Sequence, residues 1–381
     1  MKYSREAVKE LLLRRLRLTP STQGRGEGDV PSVIRSIGGL QYGGHLIELF
    51  NRFRGFRPSW FDRWYAGGEL VEGHVLRGAL RIVNADEYAR YFKATRCVAR
   101  RRRYQNCPTS LTRAHDLALR LLSELGPLTL SEFREAFGER HPDWGERAGR
   151  LLLDLYNHGE VARAGRRRSK PLYHDARKLP NLPDASNITE GEAMEWLVSK
   201  CLGIYGPFSV GDVAHWAGWN QGEARTVIQR LLEAGEVVAA RIKGEGDELY
   251  MRAEDEGTLA SIEGDLPDHE FVRVLFNDDA LLLGYLPRLG ERLGFDWRYP
   301  QLSEGVVWKA GILYGRELIG EAVVEMYAGS KAFRVTSSTF REGYDDPGVI
   351  GRVREELHRH AEFQDKQLEI EKTESNKVFT R

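Results

Sequence analysis

"GPLTLSEFREAFG" (residues 126–138) and "RLLLDLYNHGEVARAG" (150–165) return, in altered letters, as "GPFSVGDVAHWAGW" (206–219) and "IQRLLEAGEVVAA" (228–240). Each unit opens on Gly-Pro, an apolar residue and Thr or Ser, and each closes with Gly-Glu-Val. Thr129 and Ser209 stand where a helix N-cap is wanted, with an acid three residues on at Glu132 and Asp212. A short helix, a turn and a longer helix follow. The longer helix carries apolar residues at helical spacing: Leu151, Leu152 and Leu155 in one unit, Val227, Ile228, Leu231 and Leu232 in the other. Gly159 and Gly235 end these helices as residues that tolerate the left-handed conformation.

Helical segments precede both units ("AHDLALRLLSELG", "GEAMEWLVSKCLGIYG") and strand-rich segments follow them ("EVARAG" and "PLYHD"; "EVVAARIKG" and "DELYMRA"). Three helices and a hairpin are the order of a winged helix-turn-helix. A more diverged copy is read upstream, from "DVPSVIRSIGGLQ", "HLIELFNRFRGF", "RPSWFDRWYAGGELV" and "GHVLRGALRIVNADEYARYF". From residue 268 the pattern changes to β-branched runs with Gly turns, closed by the amphipathic segment "GVIGRVREELHRHAEFQDKQLEIEK". The last residues, "TESNKVFTR", read as frayed.

The expected fold is therefore α+β: three tandem winged helix-turn-helix domains, then a C-terminal antiparallel β element with a closing helix. The boundaries are 1–95, a basic linker at 96–109, 110–180, 188–256, and 268–370.

The chain of 381 residues has zero formal net charge and 41% hydrophobic residues, an ordinary globular composition. Polyanion binding must then come from local patches. Three cysteines, without zinc-like partners at short spacing, argue against a disulfide framework or a structural zinc site. "MKYSREAVKELLLRRLRL" reads as neither a signal peptide nor a membrane span, and a cytoplasmic protein is expected. There is no P-loop, no GxSxG and no dinucleotide fingerprint. "FNDD" (Asn277, Asp278, Asp279) reads as a turn or cap rather than a metal cluster, and the histidines lack ligand spacing. Trp60, Phe61, Trp64 and Tyr65 fall at helical spacing and read as core; Trp216 and Trp219 read as packing residues, Trp219 the more exposed.

Two segments concentrate positive charge. "VARAGRRRSKPLYH" (161–174) carries Arg163, Arg166, Arg167, Arg168 and Lys170 around a hairpin turn, and "RCVARRRRYQNCP" (96–108) carries Arg100, Arg101, Arg102 and Arg103 without an acid. Such runs are often solvated faces or guards against edge pairing. Beside winged helices they read as phosphate contacts.

The order of "VIRSIGGLQ", "GELVEGHVLRGALRIVNADE", "GEVARAGRRRSKPLYHDARKLP", "LFNDDALLLGY" and "GVVWKAGILYGRELIG" resembles the winged-helix DNA glycosylases of the AlkZ/YcaQ type over nearly the whole chain. The resemblance implies excision of alkylated bases from double-stranded DNA, extending to crosslink unhooking, by a monomer without metal or cofactor, associated with the nucleoid. It implies that the second wing faces DNA, with Arg166, Arg167, Arg168 and Lys170 on phosphates, together with Arg100 to Arg103.

It also implies a Gln-x-Gln or Gln-x-Asp pair. In "LQYGGH", Gln41 matches the first position and Gly43 stands at the second, where there is no side chain to polarise water. In "RGALR", Arg77 and Gly78 match an Arg-Gly-Thr-x-His pattern, while Ala79 replaces Thr and Arg81 replaces His; both arginines are candidate DNA contacts. His45, Glu48 and Glu72 are the candidates to fill the gap at Gly43. His45 would share a helical face with Gln41 if that segment is helical. Gln41 and His45 are the expected catalytic residues. The alternative is a non-catalytic winged-helix DNA-binding protein, a regulator or damage-recognition paralogue, in which Gly43 marks a lost active site.

Overall fold

The computed structural model describes residues 2–102, 108–285, 288–294, 297, 307–327 and 329–379. Both repeats begin as their caps require. The Thr129 side chain accepts from the Glu132 N–H while the Thr129 N–H donates to Glu132 Oε2 (2.8 Å), starting the helix Leu130–Arg140. Ser209 and Asp212 do the same for the helix Val210–Ala217. Each reciprocal pair satisfies donors that a helix start otherwise leaves bare. The longer helices are Ala148–His158, ended by Gly159 at φ 80°, and Gln221–Glu233, followed by Gly235 at φ 72°. Leu152 and Leu155 are fully buried, each contributing roughly 2 kcal/mol. The hairpins Val161–Arg167/Lys170–Asp175 and Val237–Ile242/Leu249–Arg252 follow.

The hairpins do not stay within separate units. A first hairpin, Leu70–His74 and Leu80–Asn84, joins the second through Glu72 opposite Arg163, and the short strand Leu40–Gln41 completes a five-stranded sheet. The third hairpin takes the N-terminal strand Lys2–Tyr3 as a parallel neighbour. Tyr3, Ala7, Val8 and Leu11 share a core with Ala240, Ile242, Leu249 and Met251 of that hairpin.

Residues 96–102 of the expected basic linker are helical. The helix Ala85–Arg102 runs through the expected boundary, since nothing between Ala85 and Arg102 is Gly or Pro. It packs beside Glu190–Tyr205, and Trp219 Nε1 donates to the Ala94 carbonyl (3.1 Å). Trp219 and Trp216 are both buried packing residues, and Trp219 (7% exposed) is slightly the more exposed of the two (Trp216, 2%).

The C-terminal sheet has strands Val272–Phe276, Val307–Tyr314, Glu317–Glu325 and Ala332–Phe340 in antiparallel order. The closing helix Pro347–Phe363 is shorter than its amphipathic pattern. Asp365 adopts φ 55°, and Gln367–Ile370 returns as a parallel edge strand beside Ala332–Phe340. A helix between parallel strands is the usual crossover. The tail is docked rather than frayed: Ser338 Oγ donates to Asn376 Oδ1 (2.8 Å), and Phe379 packs on Phe340. Among the described residues, no helix is long and apolar enough to cross a membrane.

Candidate active site

The helix Val30–Ile37 ends at Gly38 (φ 75°) and Gly39 (φ 96°). A Cβ on Gly39 would lie 2.6 Å from Val83 Cγ1, so only glycine lets the chain turn this closely onto the strand Leu80–Asn84. That turn delivers Leu40 opposite Ile82 and Gln41 opposite Arg81. Gln41 is half-buried, and its side-chain amide makes no hydrogen bond among the described residues. Gly43 follows at φ 110°, exposed, with open space where a Cβ would stand. Gly44 then starts the helix His45–Arg52.

That helix is clamped to the C-terminal sheet. Arg52, fully buried, makes a bidentate pair with Asp279 (2.7 and 2.9 Å). The Ala280 N–H donates to Glu48 Oε1 (2.9 Å), and Asn51 Nδ2 donates to the Val274 carbonyl (2.9 Å). Burial, with Asp279 nearby, pushes the Glu48 carboxyl up to about 7 against the pull of Arg52. The same clamp sets Asp278 beside the glycine loop: a Cβ on Gly44 would lie 3.3 Å from Asp278 Cβ and 3.6 Å from its Oδ2.

The other wall is aromatic and cationic. His45 lies 4.8 Å from Phe61 and 6.1 Å from Tyr42, centroid to centroid, and Phe61 stacks on Tyr65 (5.4 Å). The Tyr65 hydroxyl donates to Glu72 Oε2 (3.3 Å). Glu72 is fully buried, with Arg163 Nη1 2.8 Å from Oε1 and Arg166 Nη2 3.8 Å from Oε2. Burial raises the Glu72 carboxyl, and the two guanidiniums oppose the shift. Arg166 also donates to the Tyr42 hydroxyl and lies 5.0 Å from that ring's centroid. Desolvation, with Arg166 second, pulls the His45 imidazole down to about 4.

A family model for "DNA glycosylase AlkZ-like" matches residues 34–363. The chain belongs to the AlkZ-like DNA glycosylase family. No curated protein matches it. Its fold is similar to the solved structure of Streptomyces sahachiroi DNA glycosylase AlkZ, with a TM-score of 0.69 at 17% identity, covering 97% of this chain and 100% of that one.

In this AlkZ-like chain the site residues expected from sequence part into groups. Gln41 precedes Tyr42, whose ring faces His45, and a chain of contacts runs from His45 through Phe61 and Tyr65 to the buried Glu72, with Arg166 reaching Tyr42 from the second hairpin. Gln41 and His45 do not share a helical face, because Gln41 ends a strand and His45 begins a helix. Glu48 is 4% exposed and committed to the clamp. Arg81 is also 4% exposed and donates to the Gly39 carbonyl (3.1 Å), so it holds the loop and cannot meet a phosphate.

Arg77, at φ 55°, sets its Nη1 3.1 Å from His215 Nε2 and so ties the first hairpin to the helix Val210–Ala217. Arg167 pairs with Glu132 (2.8 Å), while Arg168 and Lys170 are exposed at the hairpin turn. Of Arg100, Arg101 and Arg102 only the helical backbone is described, and Arg103 lies outside the described residues.

Sequence reasoning missed Tyr42 and the inward role of Arg163; Tyr65 is core as expected, and its hydroxyl also reaches Glu72. Glu72 and Arg163 meet only because two hairpins share a sheet, which no local pattern announces. Among the described residues no three His, Cys, Asp or Glu side chains gather as metal ligands.

Proposed function

We propose that this AlkZ-like glycosylase hydrolyses the bond between deoxyribose and an N-alkylated purine in double-stranded DNA. The observation that carries the reading is Gln41: a half-buried amide, free of partners among the described residues, held by a glycine turn just before Tyr42 and His45. A cationic purine leaves readily, so the protein has two tasks. It must place a water and stabilise positive charge as it develops on the sugar. Gln41 takes the first task, its amide oxygen accepting from the water. His45, neutral near pH 7 because of its burial, lines the site as an aromatic wall and does not carry charge there. The chemistry asks for no metal or cofactor, because the leaving group brings its own charge. The same cleavage applied to a purine bridged to the opposite strand would unhook a crosslink.

The duplex grip is read from the two helix–helix–helix–hairpin units as winged helices, with the N-terminal elements as a third. Arg168 and Lys170 contact phosphate directly, with Arg100 to Arg103 as the second basic segment. Arg77, Arg166 and Arg167 already hold internal partners, which a phosphate must share. Phosphate contacts of this kind position without reading sequence, as a lesion enzyme working at any site requires. A monomer in the cytoplasm, on the nucleoid, fits this use.

A second reading is favoured by one observation. Gly43 offers no side chain at the position where the family resemblance expects Gln or Asp, and its φ of 110° suits glycine alone. On that reading the protein binds duplex DNA without cutting the glycosidic bond. Incubation with a duplex carrying N7-methylguanine separates the two. Alkali-labile abasic sites support the glycosylase; tight, salt-sensitive binding without them supports the binder.

A further inference from the structure

The position vacated at Gly43 raises a physical question: which group takes up the proton of the attacking water? Among the described residues four carboxylates stand near the loop. Asp279 is spent on Arg52 in a buried bidentate pair. Glu48 accepts from the Ala280 N–H and is buried beside the same arginine. Glu72 is fully buried between Arg163, Arg166 and Tyr65. Asp278 is different. It is half-buried rather than enclosed, so water reaches it, and its carboxylate lies against Gly44, the residue after Gly43. Its Oδ1 accepts from Asn277 Nδ2 (3.2 Å), which orients the group. The Arg52–Asp279 pair and the Asn51 bond to Val274 keep the loop and Asp278 from separating.

We infer that Asp278, delivered from the C-terminal domain, is the catalytic carboxylate of this chain and stands in for the side chain that Gly43 lacks. The inference rests on the glycosylase reading above. In the step, the C1′–N bond breaks and its electron pair goes to the cationic purine, which leaves neutral. The oxygen of the Gln41-held water forms the new bond to C1′. The water proton passes to the Asp278 carboxylate and from there to solvent. The same negative charge favours the positive sugar that forms on the way. The glycine at 43 then has a use: nothing lies within 4 Å of where its Cβ would stand, which leaves room beside the loop for water and sugar.

The bland alternative is that Asp278 only caps the helix His45–Arg52. Asp278→Asn separates the two, because asparagine caps about as well as aspartate but takes no proton. Single-turnover release of N7-methylguanine from duplex DNA should fall by about 100-fold or more in Asp278→Asn. Duplex affinity and melting temperature should hold, and the fall of rate at low pH expected of the wild type should flatten. Asp278→Glu, which keeps the charge, should retain more rate than Asp278→Asn, and it serves if the asparagine variant folds poorly. Release by Asp278→Asn within threefold of wild type, with Gln41→Ala inactive, overturns this inference and leaves the glycosylase reading standing. No release by the wild type overturns both.

Discussion

The guanidinium of Arg166 lies 5.0 Å from the centroid of the Tyr42 ring and donates to its hydroxyl, so the second hairpin is tied directly to the loop that carries Gln41. Arg166 is exposed like Arg168 and Lys170 at the turn, but it is tied to Tyr42. Arg168→Ala should lower the slope of log affinity against log salt by about one and leave the excision rate at saturation unchanged. Arg166→Ala should lower the rate at saturation as well. It should also raise the His45 pKa, since Arg166 is one of the two causes of its depression. A proton NMR titration of the His45 ring reads the second effect.

Glu72 is the carboxylate on which the sheet junction depends. It joins the first hairpin to Arg163 and Arg166 of the second, with no exposure of its own. Glu72→Gln keeps the shape and removes the charge, leaving Arg163 buried without its counter-ion. A loss of roughly 3 kcal/mol is expected, read as a shift in the midpoint of urea unfolding. Arg163→Ala should lose a comparable amount, and the double variant less than the sum, because both remove one pair.

His45 makes stability depend on acid. Its folded pKa of about 4 lies below the ordinary value of 6.5, so the unfolded chain takes up the proton first. The stability that neutral His45 supports is full above pH 6.5 and is lost as pH falls toward 4. The shift is worth up to about 3 kcal/mol. Unfolding midpoints measured across pH 4 to 7 should show this slope in the wild type and a shallower one in His45→Phe. Above pH 7 the two slopes should coincide.

Gly43 is held by its backbone and not by crowding. Nothing lies within 4 Å of where its Cβ would stand, yet its φ is 110°. Gly43→Ala should therefore cost about 1–2 kcal/mol through strain alone. A thermal melt checks this. An unchanged midpoint would show that the loop relaxes freely, and with it that the Gln41 geometry is soft.

Periodic features of this chain were open to sequence reasoning; features made by long-range pairing were not. Thr129 with Glu132, Ser209 with Asp212, and Gly159 and Gly235 are local signals, and each does what its spacing implies. Arg166 of the basic hairpin reaches Tyr42, the neighbour of Gln41. Arg81 and Arg167 show the limit. Charge alone marked both for phosphate, but Arg81 is buried under Gly39 and Arg167 faces Glu132. Charge also marks the linker expected from residue 96, and its residues 96–102 continue the helix Ala85–Arg102. "FNDD" reads as a turn or cap, and Asp279 does cap the helix Ala280–Gly284, but nothing in its letters says that Asp278 will lie against Gly44.

The most direct measurement is single-turnover release of N7-methylguanine from a duplex, with enzyme in excess, for the wild type and Gln41→Ala. The account predicts release by the wild type and a loss of about 100-fold or more in the variant, with duplex affinity preserved. Equal rates in the two proteins, or no release by either at saturating enzyme, would contradict it.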